Sequence, residues 1–250
     1  MLSVVKSMVL QGLDGTLVNV EVDVSSGMPI WEIIGLPDIS VKESKERVKT
    51  AIKNCGIDIP SRRYIINLSP ANLRKEGSYF DLAISIGVLK SIGILEKANL
   101  EDVIFIGELS LDSKIKRVNG VLPMCIEALK HGINRVIVPK ENAKEASIIK
   151  ELEVIGIENL FDLIKYLNNE IQIEREFSDI KDIFGKEVNY DIDFSEVKGQ
   201  YAVKRALEIA AAGGHNVLMI GSPGSRKNND GKKNKNNSTR FDFWWGFGNN

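Results

Sequence analysis

Cysteine, histidine and net charge are what this sequence has least of. Its 250 residues include two cysteines and two histidines, and the formal net charge is −1. Cys55 and Cys125 lie far apart with no CxxC neighbour, which predicts reduced thiols in the cytosol rather than a disulfide framework. His131 and His215 have no partner at ligand spacing, so no metal site is expected. The small net charge excludes a global field that attracts nucleic acid, but it leaves room for local basic patches.

Long apolar runs are missing as well. No run approaches the roughly 20 residues that span a bilayer. The first residues also lack the charged-then-apolar order of a signal peptide. We therefore expect a cytoplasmic protein with no membrane partner.

The hydrophobic residues that are present, 43% of the chain, follow the pattern of an α/β protein. Alternation at residues 17–24 predicts a strand with one buried face. A helix is predicted from Asp38, which can cap its first turn, to a stop at Gly56. Further strands are predicted at 64–68, 103–107, 135–139 and 152–155, further helices at 81–92, 121–131, 141–150 and 159–168, and the return arm of a hairpin at 114–120.

The outer face of the first helix mixes acidic and basic residues. Because the two signs alternate, we interpret this face as a solvated surface rather than a DNA-binding helix. Its members are Lys42, Glu43, Lys45, Glu46, Lys49 and Lys53.

The composition and periodicity of the chain change after residue 170. This change predicts a first domain at residues 1–170. Residues 171–194 are charged and weakly periodic, which favours a linker. An alanine-rich helix at 203–212 and a short strand at 216–220 then lead into a glycine-rich turn.

This turn has the setting of a phosphate-binding loop, whose full motif is G-x-x-x-x-G-K-[ST]. The residues that fit an incomplete Walker A motif are Gly221, Ser222, Pro223, Gly224, Ser225 and Lys227. Arg226 stands where the second glycine belongs, and its side chain crowds a turn that needs close backbone approach. Asn228 stands where a hydroxyl would hold Mg²⁺. The sequence therefore predicts that ATP and Mg²⁺ are bound poorly.

Residues 226–250 have no apolar periodicity and end in an aromatic cluster unlike the rest of the chain. A basic and aromatic nucleic-acid arm is one reading. The alternative is a shifted reading frame. We back-translated the chain from Arg226 with permitted codons, removed the first nucleotide and translated again. The result, GKTMMAKKIKTILPDLT, restores both missing motif residues, the second glycine and the threonine. Our hypothesis is a one-nucleotide frameshift at Ser225/Arg226 and an aberrant, disordered tail.

Several separated motifs within residues 1–225 resemble the magnesium-chelatase-like AAA+ ATPases of the ComM/YifB type. The motifs are residues 22–29, 34–38, 43–49, 67–77, 107–112, 136–139, 198–200, 204–216 and 221–225. The resemblance implies an α/β fold, with a Lon-protease-like domain of the ribosomal protein S-five domain-two type before an incomplete P-loop AAA+ domain at 195–225. It also implies a homo-hexameric, ATP- and Mg²⁺-dependent parent that acts on DNA, as a branch-migration helicase during natural transformation.

Peptidase activity is the less favoured implication. Lon-type enzymes use a serine nucleophile and a lysine base, but Tyr79 falls at the serine position and Leu122 at the lysine position. Ser78 is one residue away. No catalytic residue is therefore assigned, and the chain is expected to lack ATPase activity, since it stops before Walker B and sensor residues.

A non-enzymatic interaction or DNA-binding module is the remaining alternative. The candidate DNA or anion contacts are Arg62, Arg63, Arg74 and Lys75.

Overall fold

The computed structural model describes residues 2–12, 14–178 and 199–219 of the chain. The chain divides into two compact units, Met1–Gly185 and Lys186–Asn250. The expected α/β class is confirmed by the first unit, which combines a mixed sheet with helices.

The described residues of the first unit form these strands: β1 (Leu2–Gln11), β2 (Asp14–Ser25), β3 (Ile30–Ile34), β4 (Arg63–Ser69), β5 (Val103–Phe105), β6 (Glu108–Leu109), β7 (Ile115–Lys116), β8 (Arg135–Pro139) and β9 (Glu153–Ile157). Seven of them make one sheet in the order β3-β4-β2-β1-β5-β8-β9. Strand β2 pairs antiparallel with both β1 and β4, whereas the other neighbours are parallel. A separate hairpin joins β6 and β7.

Five helices belong to the first unit and one to the second, within the described residues. They are α1 (Ile39–Asn54), α2 (Asp81–Ser91), α3 (Val121–Lys130), α4 (Lys140–Ala146), α5 (Leu160–Leu167) and α6 (Tyr201–Gly213), and a short 3-10 turn, Ser78–Phe80, precedes α2.

Both ends of α1 are as the sequence predicts. The Asp38 carboxylate accepts a hydrogen bond from the Val41 amide at 2.8 Å, which satisfies a donor that the helix leaves unpaired. At the other end Gly56 has a φ of +78°, a left-handed conformation that favours glycine. The helix boundaries therefore follow from local chemistry.

Two apolar cores lie in the first unit. The larger contains residues of α1, α2 and α5 together with alternate residues of β2 and β4. The smaller contains Met8, Ile104 and residues of α3 and α4. Leu2 and Val4 share the face of β1 that carries Met8, yet they are 62% and 46% exposed, so part of this face is open.

Three predicted segments differ in the structure. Helix α4 ends at Ala146 rather than at residue 150, where the Ser147 hydroxyl donates to the Lys144 carbonyl at 3.1 Å. Residues 216–219 form no regular strand, and residue 220 is not among the residues that the structure describes. Residues 171–178, assigned to the predicted linker, contact the first unit, because the Glu176 amide donates to Val154 at 2.8 Å and Ile173 packs on the larger core.

Candidate functional site

A groove beside α1 combines basic side chains with an aromatic ring. It encloses about 610 Å³. Lysines 45, 49 and 53 recur every four residues along α1, so they share one side of the helix. We call it the Trp31 groove; it is lined by Pro29, Ile30, Trp31, Lys45, Lys49, Lys53, Ile57, Asp58, Ile59, Pro60, Ser61 and Arg62.

The charges in the Trp31 groove are unbalanced. Three lysines and Arg62 line it, against the single carboxylate of Asp58. Lys49 has one ion pair, at 3.4 Å from Glu46. Within the described ranges, Lys45, Lys53 and Arg62 form none. The groove thus carries positive charge that surrounding acids do not neutralise.

The wall of the groove is held by an aromatic stack. Trp31 lies on Tyr64 with ring centroids 4.6 Å apart and an interplanar angle of 27°. The Lys49 ammonium lies 5.0 Å from the Trp31 ring centroid, a cation–π geometry. The Tyr64 hydroxyl donates to the Pro60 carbonyl at 2.9 Å, and burial raises the pKa of Tyr64. This bond ties the loop wall of the groove to strand β4.

A second polar cluster lies at the segment that the sequence predicts to resemble the catalytic region of Lon-type enzymes. The Ser78 hydroxyl donates to the Glu108 carboxylate. Tyr79, at the nucleophile position, is largely buried, and burial raises its pKa to about 12. Leu122, at the lysine position, offers an apolar side chain. In the described part of the chain, Ser78 therefore has a carboxylate partner where Lon chemistry uses an amine.

The same cluster contains a buried ion pair. Arg47 Nε lies 2.6 Å from Asp81 Oδ2 and Arg47 Nη2 2.9 Å from Asp81 Oδ1. The Leu109 amide also donates to Asp81, at 3.2 Å. Burial raises the pKa of Asp81 to about 6, although Arg47 opposes the shift. These contacts join α1, α2 and β6, which favours a structural role.

The four predicted anion contacts do not come together. Arg62 lines the Trp31 groove. Arg63 pairs in register with Ser25 and Ile30, so its side chain points to the sheet face opposite Tyr64. Arg74 is exposed and lies 3.1 Å from Glu76.

Lys75 differs from the expected surface contact. Its side chain is buried and donates to the Pro70 carbonyl, and desolvation lowers its pKa. Its backbone pairs with Leu36 and Asp38. Lys75 therefore fastens a loop to the start of α1.

The groove lysines and Trp31 were not identified as site residues from the sequence. The four-residue spacing of Lys45, Lys49 and Lys53 was the available signal. The interleaved Glu43 and Glu46 obscure it, because the sequence does not show which lysines these acids pair with; in the structure Glu46 pairs with Lys49.

The incomplete Walker A residues, Gly221 to Ser225 and Lys227, lie outside the described residues, as do Arg226 and Asn228. None of the described helices is long and apolar enough to cross a membrane. In the same ranges, no group of three or more His, Cys, Asp or Glu side chains could hold a metal ion.

Two family profiles match the chain. One, described as subunit ChlI of Mg-chelatase, matches residues 20–142. The other, described as magnesium chelatase, subunit ChlI, matches residues 193–232. The second match spans the glycine-rich turn and runs past Arg226, where the motif resemblance stops.

Some individual relatives are similar over most of the chain, and one over a smaller part. Competence protein ComM of Haemophilus influenzae is 36% identical over 230 residues, covering 90% of this chain and 44% of its own length. The YifB protein of Escherichia coli is 36% identical over 226 residues, covering 90% and 44%. DNA repair protein RadA of Streptococcus pneumoniae is 29% identical over 97 residues, 39% of this chain and 23% of RadA. The chain thus spans less than half the length of ComM and YifB.

Proposed function

The chain belongs to the magnesium-chelatase-like ComM/YifB family, and from this premise we propose that it supplies the N-terminal part of a DNA-processing ATPase. The observation that carries the proposal is the 36% identity to competence protein ComM across 90% of this chain. The weaker likeness to DNA repair protein RadA supports the same process. With this function, the protein would act in the cytoplasm. Its partners would be DNA and the other subunits of a homo-hexamer.

In this proposal the first unit is a Lon-like domain without peptidase chemistry. Tyr79 and Leu122 replace the serine and lysine that proteolysis requires, and Ser78 is bonded to Glu108. A covalent adduct on Ser78 with a serine-directed active-site probe would contradict this reading. Without peptidase activity, the first unit serves as a binding module in this proposal.

Residues 195–225 are the opening of the nucleotide-binding domain in this proposal, and 226–250 are a shifted frame. Arg226 and Asn228 occupy the glycine and hydroxyl positions of the phosphate loop, so the two contacts that enclose phosphate and Mg²⁺ are weakened. Sequencing codons 220–250 of the gene tests the frameshift directly. Codons incompatible with a one-nucleotide shift would remove it.

We predict that the 250-residue polypeptide hydrolyses no ATP. The family resemblance implies that the full-length relatives use ATP and Mg²⁺, whereas Arg226 and Asn228 interrupt the Walker A motif here. Phosphate release from purified protein should equal that of its Lys227→Ala variant, with and without Mg²⁺. A Mg²⁺-dependent turnover that disappears in Lys227→Ala would overturn the prediction.

Binding of DNA by the polypeptide is the testable part of the non-enzymatic function. A gel shift with branched DNA, single-stranded DNA and a matched duplex distinguishes a DNA-binding module from an inert fragment. Binding to at least one of these is expected at low salt, because most such affinity is electrostatic. Absence of binding to all three at 50 mM salt would contradict the proposed function.

A further inference from the structure

We propose that the Trp31 groove is the binding site for the phosphate backbone of a single nucleic-acid strand. The inference rests on the proposed DNA-processing function, and it assigns that function to one surface. Its ligand is a linear polyanion that also presents aromatic faces.

The first argument is the linear arrangement of the positive charges. An α-helix rises 1.5 Å per residue, so lysines four residues apart follow one another at about 6 Å along the axis. Lys45, Lys49 and Lys53 therefore form a line of three cations rather than a point. Such a line matches an extended chain of phosphates better than one isolated anion.

The second argument is that the groove cations are short of partners. Elsewhere on the first unit some surface cations are paired, as Arg74 is with Glu76 and Lys130 with Glu127, whereas others in the described ranges, such as Lys116, form no ion pair. In the described ranges, Lys45, Lys53 and Arg62 have no such pair, although they line one groove. The groove thus brings several unneutralised positive charges together in a chain whose net charge is only −1, and such a local patch attracts a polyanion.

The third argument is the aromatic wall. Proteins that bind single strands combine a basic groove with aromatic side chains on which bases stack. Trp31 is fixed from one side by Tyr64 and is in contact with the Lys49 ammonium. When Lys49 turns from the indole to a phosphate, the ring becomes available to a base. The carboxylate side chains of an acidic peptide do not stack on an aromatic ring, so the aromatic wall favours a nucleic acid as the ligand.

The test compares two variants with the same change in charge. The groove variant is Lys45→Gln/Lys49→Gln/Lys53→Gln, and the control is Lys42→Gln/Lys116→Gln/Lys150→Gln, whose residues are exposed and lie outside the groove. Binding of the full chain to a fluorescent single strand is measured by anisotropy between 50 and 200 mM salt. Circular dichroism confirms that both variants fold.

The groove variant is expected to lose at least tenfold in affinity at 50 mM salt. Its slope of log K against log salt should fall by about 2, since each phosphate contact on a single strand contributes roughly 0.7. The control variant should stay within threefold of the unmodified chain, with an unchanged slope. Trp31→Leu should weaken binding severalfold without changing the slope, because stacking releases no counterions.

Three results would overturn the inference in different ways. If both triple variants lose affinity equally, the chain binds DNA but not through this groove, and the proposed function stands. If the unmodified chain binds no DNA, the proposed function fails as well. If a polyglutamate peptide competes as well as the strand, and only in the presence of the groove lysines, the ligand is an acidic protein instead.

Discussion

At the scale of residues, the ion pair of Arg47 and Asp81 is a buried polar contact that joins α1 to α2. Asp81 is fully buried, while the Arg47 side chain is 22% exposed. The folded pKa of Asp81, about 6, lies above its ordinary 3.8, so the folded state holds this proton more tightly than the unfolded state. The group's contribution to stability is thus full below about pH 4 and is lost as the pH rises through about 6.

We predict that Arg47→Met lowers the free energy of unfolding by about 3–5 kcal/mol at pH 8, the usual effect of breaking a buried pair. Without Arg47 the pKa of Asp81 rises further, since the guanidinium is what lowers it. A protonated Asp81 needs no cation, so the loss should be smaller at pH 5. Urea denaturation at both pH values measures the difference.

The matched control for this prediction is Arg135→Met. Arg135 pairs with Glu153 at 2.8 Å, but the two side chains are 41% and 36% exposed. Exposed pairs contribute about 1 kcal/mol or less, so this variant should show a small loss at both pH values. An equal large loss for Arg47→Met at pH 5 and pH 8 would contradict the burial argument.

What the sequence could show about these residues was limited by distance along the chain. Arg47 and Asp81 are 34 residues apart, and nothing in either neighbourhood marks the other as its partner. Arg74 and Lys75 are adjacent in the sequence, yet one is solvated and the other buried. The helix cap at Asp38 was predicted because its chemistry is contained in four consecutive residues.

At the scale of elements, the packing of α2 on β2 depends on a glycine within the helix. Gly87 weakens the isolated helix by roughly 1 kcal/mol relative to alanine. A Cβ at this position would lie 2.7 Å from the Val22 Cγ2 atom of β2. Glycine is thus required by the close approach of helix and strand.

We predict that Gly87→Ala destabilises the first unit by about 1–3 kcal/mol, because overpacking outweighs the gain in helix propensity. Val22→Ala removes the opposing methyl groups and costs about 2 kcal/mol by itself. The double variant should lose at least 1 kcal/mol less than the sum of the single losses. Urea denaturation of the four proteins provides the cycle.

A distant valine gives the control for this cycle. Val136 on β8 is buried in the smaller core, away from the contact of α2 with Val22. Gly87→Ala combined with Val136→Ala should therefore be additive within about 0.5 kcal/mol. If both cycles are additive, the 2.7 Å approach does not limit the packing.

A strand or helix can be predicted from the sequence where its apolar residues are also its buried residues. Alternation in β2 was readable because its valines face the core. Strand β1 has no such signal because polar and apolar residues are mixed on both of its faces: Ser3 and Ser7 are buried, bonded to the Gly87 and Phe105 carbonyls, while Leu2 and Val4 are exposed. The strand order also has no signal in the sequence, since β1 pairs with β5, a strand far along the chain, as in the pairing of Lys6 with Ile104.

At the scale of the whole molecule, the boundary of the first unit lies further along the chain than composition indicates. The charged segment after residue 170 predicts a linker. In the structure, Ile173 packs on the larger core, Lys140 pairs with Glu176, and the Ser147 and Ser178 hydroxyls are 2.7 Å apart. The division between the units, at Gly185 and Lys186, falls inside the predicted linker, whose role stays a prediction.

Limited digestion with trypsin tests where this boundary lies. Arg175 belongs to the packed segment, and its guanidinium lies 4.1 Å from the Phe177 ring centroid, whereas Lys181 and Lys186 belong to the predicted linker. We predict that the first stable fragment ends at Lys181 or Lys186 by mass spectrometry, because cleavage after Arg175 requires the segment to leave the core.

Ile173→Asp should move the first cleavage to Arg175, since a charge placed against the apolar core is unfavourable and detaches the segment. Gln172→Asp, at an exposed neighbour, adds the same charge and should leave the fragment unchanged. If the unmodified chain is cut first at Arg175, the unit ends near residue 170 and the contacts of residues 171–178 contribute little. If the fragment survives as predicted, these eight residues belong to the fold, and any isolated first unit must include them to be stable.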